Sequence, residues 1–202
     1  MTGKLNLDTQ IEYNPFEIVT YRGNHIRFDE DLSEITFDIK EIAYSLANIC
    51  RFTGHTARFY SVLEHSLKVM WLIDDDYYSP LYCLHGLLHD AHEAYTGDLS
   101  TPWKRYLNSL SDDAVKKTEN KFQDRILESL NVPKADDDIN SVVKSADMYC
   151  YMAEADALMY GREHLFWRVP IDEECSPSKS EMIDTFIIEY EGLLDKINEE
   201  KK

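Results

Sequence analysis

The sequence is poor in positive charge relative to negative charge. Its 202 residues include 21 lysines and arginines against 38 aspartates and glutamates, which gives a formal net charge of -17. A surface with this field repels a phosphate backbone, and no stretch offers a basic stripe for counterion release. We therefore expect no nucleic acid polymer as a partner. A bound divalent cation or a few lysines and arginines could still make one pocket attractive to a small phosphorylated ligand.

Closely spaced cysteines and long apolar runs are also missing. The cysteines stand far apart and form no C-x-x-C pair, at Cys50, Cys83, Cys150 and Cys175. This spacing argues against a zinc ribbon and against a disulfide framework. No apolar run approaches the roughly 20 residues that a membrane span needs, and the opening MTGKLNLDTQIEYN lacks the regions of a signal peptide. We expect a reduced, cytoplasmic protein that does not associate with a membrane.

Helical periodicity dominates the pattern of apolar residues. A hydrophobic content of 44% is enough to bury a sizeable core, and the length favours one domain. YRGNHIRF, residues 21–28, alternates in polarity around Gly23-Asn24 and predicts a small β-hairpin. Apolar residues then recur at helical spacing in six segments. The segments begin near Asp38, Ser61, Pro80, Asp112, Asp137 or Asp138, and Lys179.

These patterns predict an all-α, mainly helical domain with a small N-terminal hairpin. We place a single domain over residues 1–202, with a core at about 38–160, an N-terminal extension at 1–30 and a C-terminal helix at about 180–200. The third helix is predicted to start at Pro80 and to stop at Gly97, and the segment GDLSTPWK is predicted to be a loop. Residues 163–179 form the longest predicted irregular connection.

The segment LLHDAHEAYTGD, residues 87–98, carries ionisable groups directly after an apolar run. On a helix, His89 and Glu93 lie on one face, whereas the adjacent His89 and Asp90 diverge by about 100° but can both reach an ion at the helix edge. His65 on the second predicted helix and Asp147 among apolar neighbours are the further candidate ligands. A buried carboxylate is costly unless a cation compensates its charge. Two imidazoles and two carboxylates suit Co, Mn, Zn, Fe or Ni rather than Ca, so we predict one divalent metal ion.

The order of these residues resembles a known family. His65, the pair His89-Asp90 and Asp147 reproduce the H…HD…D pattern of the HD-domain metal-dependent phosphohydrolases. The strings CRFTGHTARFYSVLEHS, HDAHEAYTGDLSTPWK and VKSAD are similar to the branch that contains bacterial 5'-deoxynucleotidases and phage dATP triphosphohydrolases. The similarity covers roughly residues 38–160. It implies an HD-domain helical bundle of about six helices that acts on a small-molecule nucleotide. It is also compatible with a homo-oligomer.

The resemblance also implies roles for individual residues. His65, His89, Asp90 and Asp147 would bind the metal, and Glu93 and Asp98 would assist the attacking water. The residues matched to substrate contacts are Arg51, Lys104 and Lys144 for the phosphate, Phe52 beside the sugar, and His55 in the TGHT loop, which orders that loop or touches the substrate. An aromatic ring at Phe52, close to C2', would disfavour a ribose hydroxyl and so favour deoxynucleotides.

The sequence leaves several functions open. We expect a deoxynucleoside triphosphate triphosphohydrolase with a dATP-like substrate and triphosphate as product, because NICRFTGHT is nearer the phage enzymes. The alternative within the class is a 5'-deoxynucleotidase acting on monophosphates. A di-iron oxygenase would need His55, His85 and His92 as extra ligands. A non-catalytic, metal-stabilised binding module would have no need of Glu93 and Asp98.

Several of the chosen residues also have ordinary structural explanations. His65 alone could be a core histidine, and Glu93 could be a solvated helix residue. Asp98 could cap the turn at Gly97, and Lys104 and Lys144 could be surface lysines. The ordered set of matches, rather than any single residue, carries the prediction of a metal site.

Overall fold

The computed structural model describes residues 14–75, 78–159 and 177–200. Most of the described chain is helical, and a two-stranded antiparallel sheet precedes the helices, as predicted. The strands are β1 (Glu17–Val19) and β2 (His25–Arg27). The helices are α1 (Ile39–Leu46), α2 (Val62–Asp75), α3 (Pro80–Leu88), α4 (Glu93–Thr96), α5 (Thr101–Leu110), α6 (Ala114–Ser129), α7 (Asp137–Leu158) and α8 (Lys179–Glu200). A short 3-10 turn, Phe52–Gly54, follows α1.

Side-chain caps fix the starts of α1, α2 and α7. The Asp38 carboxylate accepts a hydrogen bond of 2.7 Å from the Lys40 backbone N–H and begins α1. Ser61 Oγ accepts one of 3.0 Å from the Glu64 N–H and begins α2. Such bonds satisfy backbone donors that a helix start leaves without partners. Both predicted caps are therefore confirmed, whereas α7 is capped by Asp136 rather than by Asp137 or Asp138 as predicted.

Two predictions about the middle of the chain are wrong in detail. The helix predicted from Pro80 to Gly97 ends at Leu88, and a turn separates it from the short α4. The segment GDLSTPWK is a loop only up to Ser100, because α5 begins at Thr101. Its Pro102 falls in the first helical turn, where the missing N–H costs nothing. These changes raise the count to eight α-helices within the described residues. The connection predicted at 163–179 lies outside the described residues except for its end.

Helix α2 lies at the centre of the bundle. It packs against α1, α3, α7 and α8, while α3 also contacts α7 and α8. Leu63, Leu67 and Met70 of α2 are buried, as are Leu84 and Leu87 of α3. Apolar burial thus fixes the positions of the two helices from which the predicted histidine ligands come. Of the helices in the described ranges, none is both long enough and apolar enough to cross a bilayer.

Helices α2 and α3 approach each other closely at Gly86. A Cβ atom at this position would lie 2.6 Å from Ile73 Cδ1 and 3.5 Å from the Met70 Cα. Gly86→Ala should therefore lower the free energy of unfolding by about 1–3 kcal/mol through overpacking, even though alanine is the better helix former. Urea denaturation measures this difference.

Gly192 on α8 provides the matched control for this prediction. A Cβ atom there would meet nothing within 4 Å. Gly192→Ala should raise the free energy of unfolding by up to about 1 kcal/mol, because only helix propensity changes. A Gly86→Ala protein as stable as the wild type would contradict the close contact between α2 and α3.

Candidate functional site

The structure brings the predicted metal ligands together where α2, α7 and the end of α3 meet. His65 Nε2 lies 3.2 Å from His89 Nε2. His65 Nε2 also lies 3.1 Å from Asp147 Oδ1, and His89 Nε2 lies 3.1 Å from Asp90 Oδ2. His65 is completely buried on α2, whereas Asp147 on α7 keeps 38% of its side chain exposed. The site is therefore anchored in the core on one side and open on the other.

The spacing of the donor atoms suits a divalent ion. The donor atoms of His65, His89 and Asp90 all lie within 4.8 Å of one another. The longer separations, from His65 Nε2 to Asp90 Oδ2 and from His89 Nε2 to Asp147 Oδ1, are both 3.8 Å. Neighbouring ligands held at about 2.1 Å from an ion lie roughly 3.0–3.4 Å apart at right or tetrahedral angles. The three shortest distances fall in this range, so His65, His89 and Asp90 could hold a metal, and Asp147, 3.1 Å from His65 Nε2, is the further candidate ligand.

The hydrogen bonds of the two imidazoles leave the same nitrogen of each ring facing the centre. His65 Nδ1 donates to Glu154 Oε1 at 2.8 Å. His89 Nδ1 donates to the Gly86 carbonyl at 2.8 Å. Neither a carboxylate nor a carbonyl oxygen can donate, so the hydrogen of each bond belongs to Nδ1. Both Nε2 atoms are thereby left to bind a proton or a metal.

The electrostatics of the cluster favour a positive charge at its centre. Burial disfavours a charged His89, but the Asp90 and Asp147 carboxylates outweigh it and raise the pKa of His89 to about 9. Burial also disfavours ionised Asp90, yet His89, His65 and Arg51 hold the pKa of that carboxyl well below its usual value. A divalent cation would displace the histidine proton and satisfy the same carboxylates.

A side chain from α6 stabilises the turn that contains His89 and Asp90 and interrupts the helix there. In a continuous α-helix the Leu88 carbonyl would accept from the His92 N–H. Here Gln123 Nε2 donates to the Leu88 carbonyl at 2.7 Å, and Gln123 Oε1 accepts from the His92 N–H at 3.1 Å. The backbone between them uses i to i-3 bonds, including Glu93 N to Asp90 O at 3.0 Å. The tighter turn allows adjacent side chains to reach one centre.

Glu93 and Asp98 form an acidic pair beside the cluster. Glu93 is 2% exposed at the start of α4. Its burial, together with the charges of Asp90 and Asp98, raises its pKa well above the usual value. Burial likewise raises the pKa of Asp98. Carboxyls with raised pKa values next to ionised ones are suited to proton transfer near neutral pH.

Lys104 lies on α5 among carboxylates. Its Nζ is 3.4 Å from Glu93 Oε1 and 2.9 Å from Glu119 Oε1. Burial lowers the pKa of Lys104, but these carboxylates raise it by more. The lysine is therefore a charged neighbour of Glu93, although the segment around it was not predicted to be a helix.

Arg51 and Phe52 border the site on the side of α7. Arg51 is buried, with an Nη1 atom 3.5 Å from Asp90 Oδ2 and an Nε atom 3.3 Å from Glu154 Oε2. Burial opposes its charge, but those carboxylates raise the Arg51 pKa above its ordinary value. The Phe52 ring stacks on Tyr151, with centroids 5.7 Å apart and planes at 27°. An arginine and an aromatic wall thus stand together next to the candidate ligands.

Other predicted residues lie away from the cluster or are engaged elsewhere. His55 and Lys144 are exposed, and Lys144 stands one helical turn before Asp147. His85 Nε2 donates to the Pro133 carbonyl at 2.8 Å, and His92 lies beside Gln123 and Glu119. In the part of the chain that the structure describes, neither His85 nor His92 joins the ligand group. The arrangement gives no support to the extra ligands that a di-iron site requires.

Sequence reasoning missed two residues that shape the site. Gln123 gave no signal, because its role depends on the contact between α6 and the turn after α3. Glu154 could have been found, because it follows Asp147 by seven residues and therefore projects from the same face of α7.

A cavity of about 790 Å³ also opens beside His89, between α3, α6 and the start of α7.

Comparison with known proteins gives two findings. A sequence model of the YfbR-like 5'-deoxynucleotidases matches residues 41–159, a range that includes every candidate residue described above. The uncharacterized protein YfdR of Escherichia coli strain K12 is 34% identical over 137 residues, which is 68% of this chain and 69% of that relative.

Proposed function

Because the chain belongs to the YfbR-like 5'-deoxynucleotidase family of the HD-domain superfamily, we propose that it removes the 5'-phosphate from deoxynucleoside monophosphates in a metal-dependent reaction. The family match confirms the resemblance to HD-domain phosphohydrolases. Membership of this family makes the chain a phosphohydrolase, without specifying its substrate. The number of phosphates on the substrate and the preference for deoxyribose over ribose are what we propose beyond family membership.

The charges of the site favour a single phosphate over a triphosphate. Among the described residues, Arg51 and Lys104 are cations that lie beside the candidate site, and each already faces two carboxylates. A triphosphate carries up to four negative charges and a single phosphate up to two, so a site whose described cations are already paired with carboxylates favours the ligand of smaller charge. The string NICRFTGHT favoured the triphosphate, whereas the description of the family and this charge balance support the monophosphate.

The candidate residues have complementary tasks in such a reaction. His65, His89, Asp90 and Asp147 would hold the divalent ion, which supplies a water of lowered pKa and polarises a phosphoryl oxygen when bound. The Arg51 guanidinium binds phosphate oxygens in the fixed geometry that phosphate recognition requires.

Glu93 is the proposed general base. Its Oε2 atom has no hydrogen-bond partner among the described residues, so this oxygen is available to take a proton from the attacking water. Asp98, which is close enough to Glu93 and Asp90 to interact with both electrostatically, would orient that water. Lys104 holds the other oxygen of Glu93 in place.

The observation that carries the proposal is the meeting of the four candidate ligands next to a buried carboxyl of raised pKa. The test is incubation with dAMP and with dATP in the presence of Mn²⁺ or Co²⁺, followed by chromatography of the products. We expect orthophosphate and deoxyadenosine from dAMP. Triphosphate released from dATP would favour the triphosphohydrolase. Metal binding without either product would favour a non-catalytic module, and oxygen consumption with iron would favour an oxygenase.

Phe52 should contribute to the choice of sugar. Its backbone φ of 57° is one that most side chains avoid, and stacking on Tyr151 holds the ring beside Arg51. Phe52→Ala should lower the preference for dAMP over AMP by about tenfold, because the steric penalty on the 2'-hydroxyl is removed. The ratio of kcat/KM values for the two nucleotides measures this change.

Phe59 offers a control in the same loop. It is an aromatic residue that is 53% exposed. Phe59→Ala should leave the ratio of the two kcat/KM values unchanged. An unchanged ratio for Phe52→Ala as well would remove Phe52 from sugar selection.

A further inference from the structure

Glu154 is a buried carboxylate that directly contacts a candidate metal ligand. It is 1% exposed on α7. Its Oε1 atom accepts hydrogen bonds from His65 Nδ1 at 2.8 Å and from the Tyr60 hydroxyl at 2.7 Å. Its Oε2 atom lies 3.3 Å from Arg51 Nε. All three neighbours come from the segment that leads into α2 or from α2 itself.

The neighbours of Glu154 keep its charge in the protein interior. Its Oε1 atom accepts hydrogen bonds from His65 and Tyr60, and its Oε2 atom forms an ion pair with the Arg51 guanidinium. A buried carboxylate that accepts two hydrogen bonds and pairs with a guanidinium is an ionised acceptor. Its bond to His65 is therefore charge-assisted, and it fixes both the tautomer and the orientation of a ring that has no exposed surface.

We propose that Glu154 is a positioning residue that orients His65 for metal binding by accepting the hydrogen of its Nδ1 atom. The hydrogen bond directs His65 Nε2 toward His89 and Asp147, which it meets at 3.2 Å and 3.1 Å. The carboxylate also makes the imidazole a stronger electron donor, because the ring shares its Nδ1 hydrogen with an anion. This role rests on the proposed metal site, and it adds to that site a residue outside the four ligands.

A purely structural role is the competing explanation. Glu154 also pairs with Arg51 and Tyr60, so its charge could serve only to stabilise the packing of α7 against the start of α2. The two roles differ in what they do to the folded protein. A structural role changes the unfolding midpoint, whereas a positioning role changes the metal affinity of molecules that remain folded.

The first test measures the affinity for Co²⁺ in the wild type and in Glu154→Gln. The visible absorbance of the bound Co²⁺ reports how much of the ion is bound. Glutamine keeps the shape but offers only a neutral acceptor to His65, so we expect the affinity to fall by about 10- to 100-fold. Glu64→Gln is the matched control. Glu64 is a partly buried carboxylate on α2, next to His65 in the chain, whose side chain pairs with Arg58 at 2.7 Å and with Lys68 at 3.3 Å. Among the described residues, no hydrogen bond or ion pair joins its side chain to a candidate ligand. We expect its Co²⁺ affinity to stay within about twofold of the wild type.

The second test needs no variant and no metal. Nitrogen-proton correlation spectra of the metal-free wild type report which ring nitrogen of His65 carries hydrogen. We expect hydrogen on Nδ1, and a ring without hydrogen on Nδ1 would overturn the proposal even if Glu154→Gln failed to fold.

The outcomes separate this inference from the proposed function. Equal Co²⁺ affinities for the wild type and for folded Glu154→Gln would contradict the role of Glu154 alone. A wild-type protein that binds no Co²⁺ would contradict the metal site, and the role of Glu154 would fall with it. A reduced affinity in Glu154→Gln, with Glu64→Gln unchanged, supports the inference.

Discussion

Glu93→Gln should lower the rate of phosphate release by about two to four orders of magnitude, the range that general acid–base catalysis supplies. Glutamine has nearly the same volume and can still contact Lys104, but it cannot accept a proton from water. Glu93 lies three residues after the candidate ligand Asp90, at the start of α4. The metal affinity should therefore be kept while turnover is lost. Single-turnover hydrolysis of dAMP, with Co²⁺ affinity measured in parallel, checks both halves of this prediction.

The same substitution should stabilise the metal-free protein. The pKa of Glu93 is raised in the folded state by burial and by neighbouring carboxylates. A carboxyl whose folded pKa exceeds its unfolded pKa costs stability once the pH rises above the unfolded value of about 4.3, and glutamine avoids that cost. Glu93→Gln should therefore raise the unfolding midpoint at pH 7 in the presence of a chelator. The gain should disappear as the pH falls toward 4.

Glu119→Gln is the control for both effects. Glu119 faces the same lysine, at 2.9 Å, and undergoes the same chemical change on α6. Its pKa is lowered rather than raised, because the electrostatic interactions of this carboxylate with His92 and Lys104 outweigh the effect of burial. Glu119→Gln should therefore lower stability and reduce turnover far less than Glu93→Gln. Unchanged turnover in Glu93→Gln would remove Glu93 from the mechanism.

The helices that carry the metal ligands were predictable because their signals are local. Ser61 caps α2 through its own side chain, and apolar spacing placed His65 within that helix. The apolar neighbours of Asp147 likewise placed it on a partly buried face of α7. Periodicity and capping depend on residues a few positions apart, so the sequence contains the information needed to predict them.

The geometry around His89 was not predictable, because it depends on a contact between distant segments. The local sequence from Pro80 to Tyr95 suits a continuous helix, and the turn forms only where the Gln123 side chain replaces the bond between Leu88 and His92. An inserted side chain is a known cause of a helix break, but nothing in the sequence near residue 123 marks it. The helix beginning at Thr101 was missed for a different reason. Ser100, Thr101 and Pro102 were interpreted as loop residues, although Pro is favoured in the first turn of a helix.

Arg51 and Lys104 show where prediction from residue type is incomplete. Both were selected as cations for a phosphate, and both do lie near the cluster. Their carboxylate partners, Glu154 and Glu119, come from segments 103 and 15 residues away. The local positive potential available to a substrate depends on those partners.

Asp147→Asn should abolish the stabilisation that the wild type gains from a divalent metal. Asp147 is the most exposed of the four candidate ligands, with 38% of its side chain accessible. Its replacement therefore disturbs the metal-free fold less than replacement of the buried His65 would. A ligand present at 100 times its Kd stabilises a protein by about 2.7 kcal/mol, which for a chain of this size raises the Tm by roughly 5–10 °C. Thermal unfolding with and without Co²⁺ measures this shift.

Asp156→Asn, on the same helix, separates the loss of a ligand from the loss of a charge. It removes one negative charge from α7 but lies nine residues beyond Asp147. The Tm shift with Co²⁺ should be retained in Asp156→Asn, whereas in Asp147→Asn it should be lost together with dAMP hydrolysis. The carboxylate of Asp147 lies 3.1 Å from His65 Nε2, so its loss removes both a donor atom and the charge that compensates the ion. A full Tm shift in Asp147→Asn would place the metal elsewhere and would require a different ligand set.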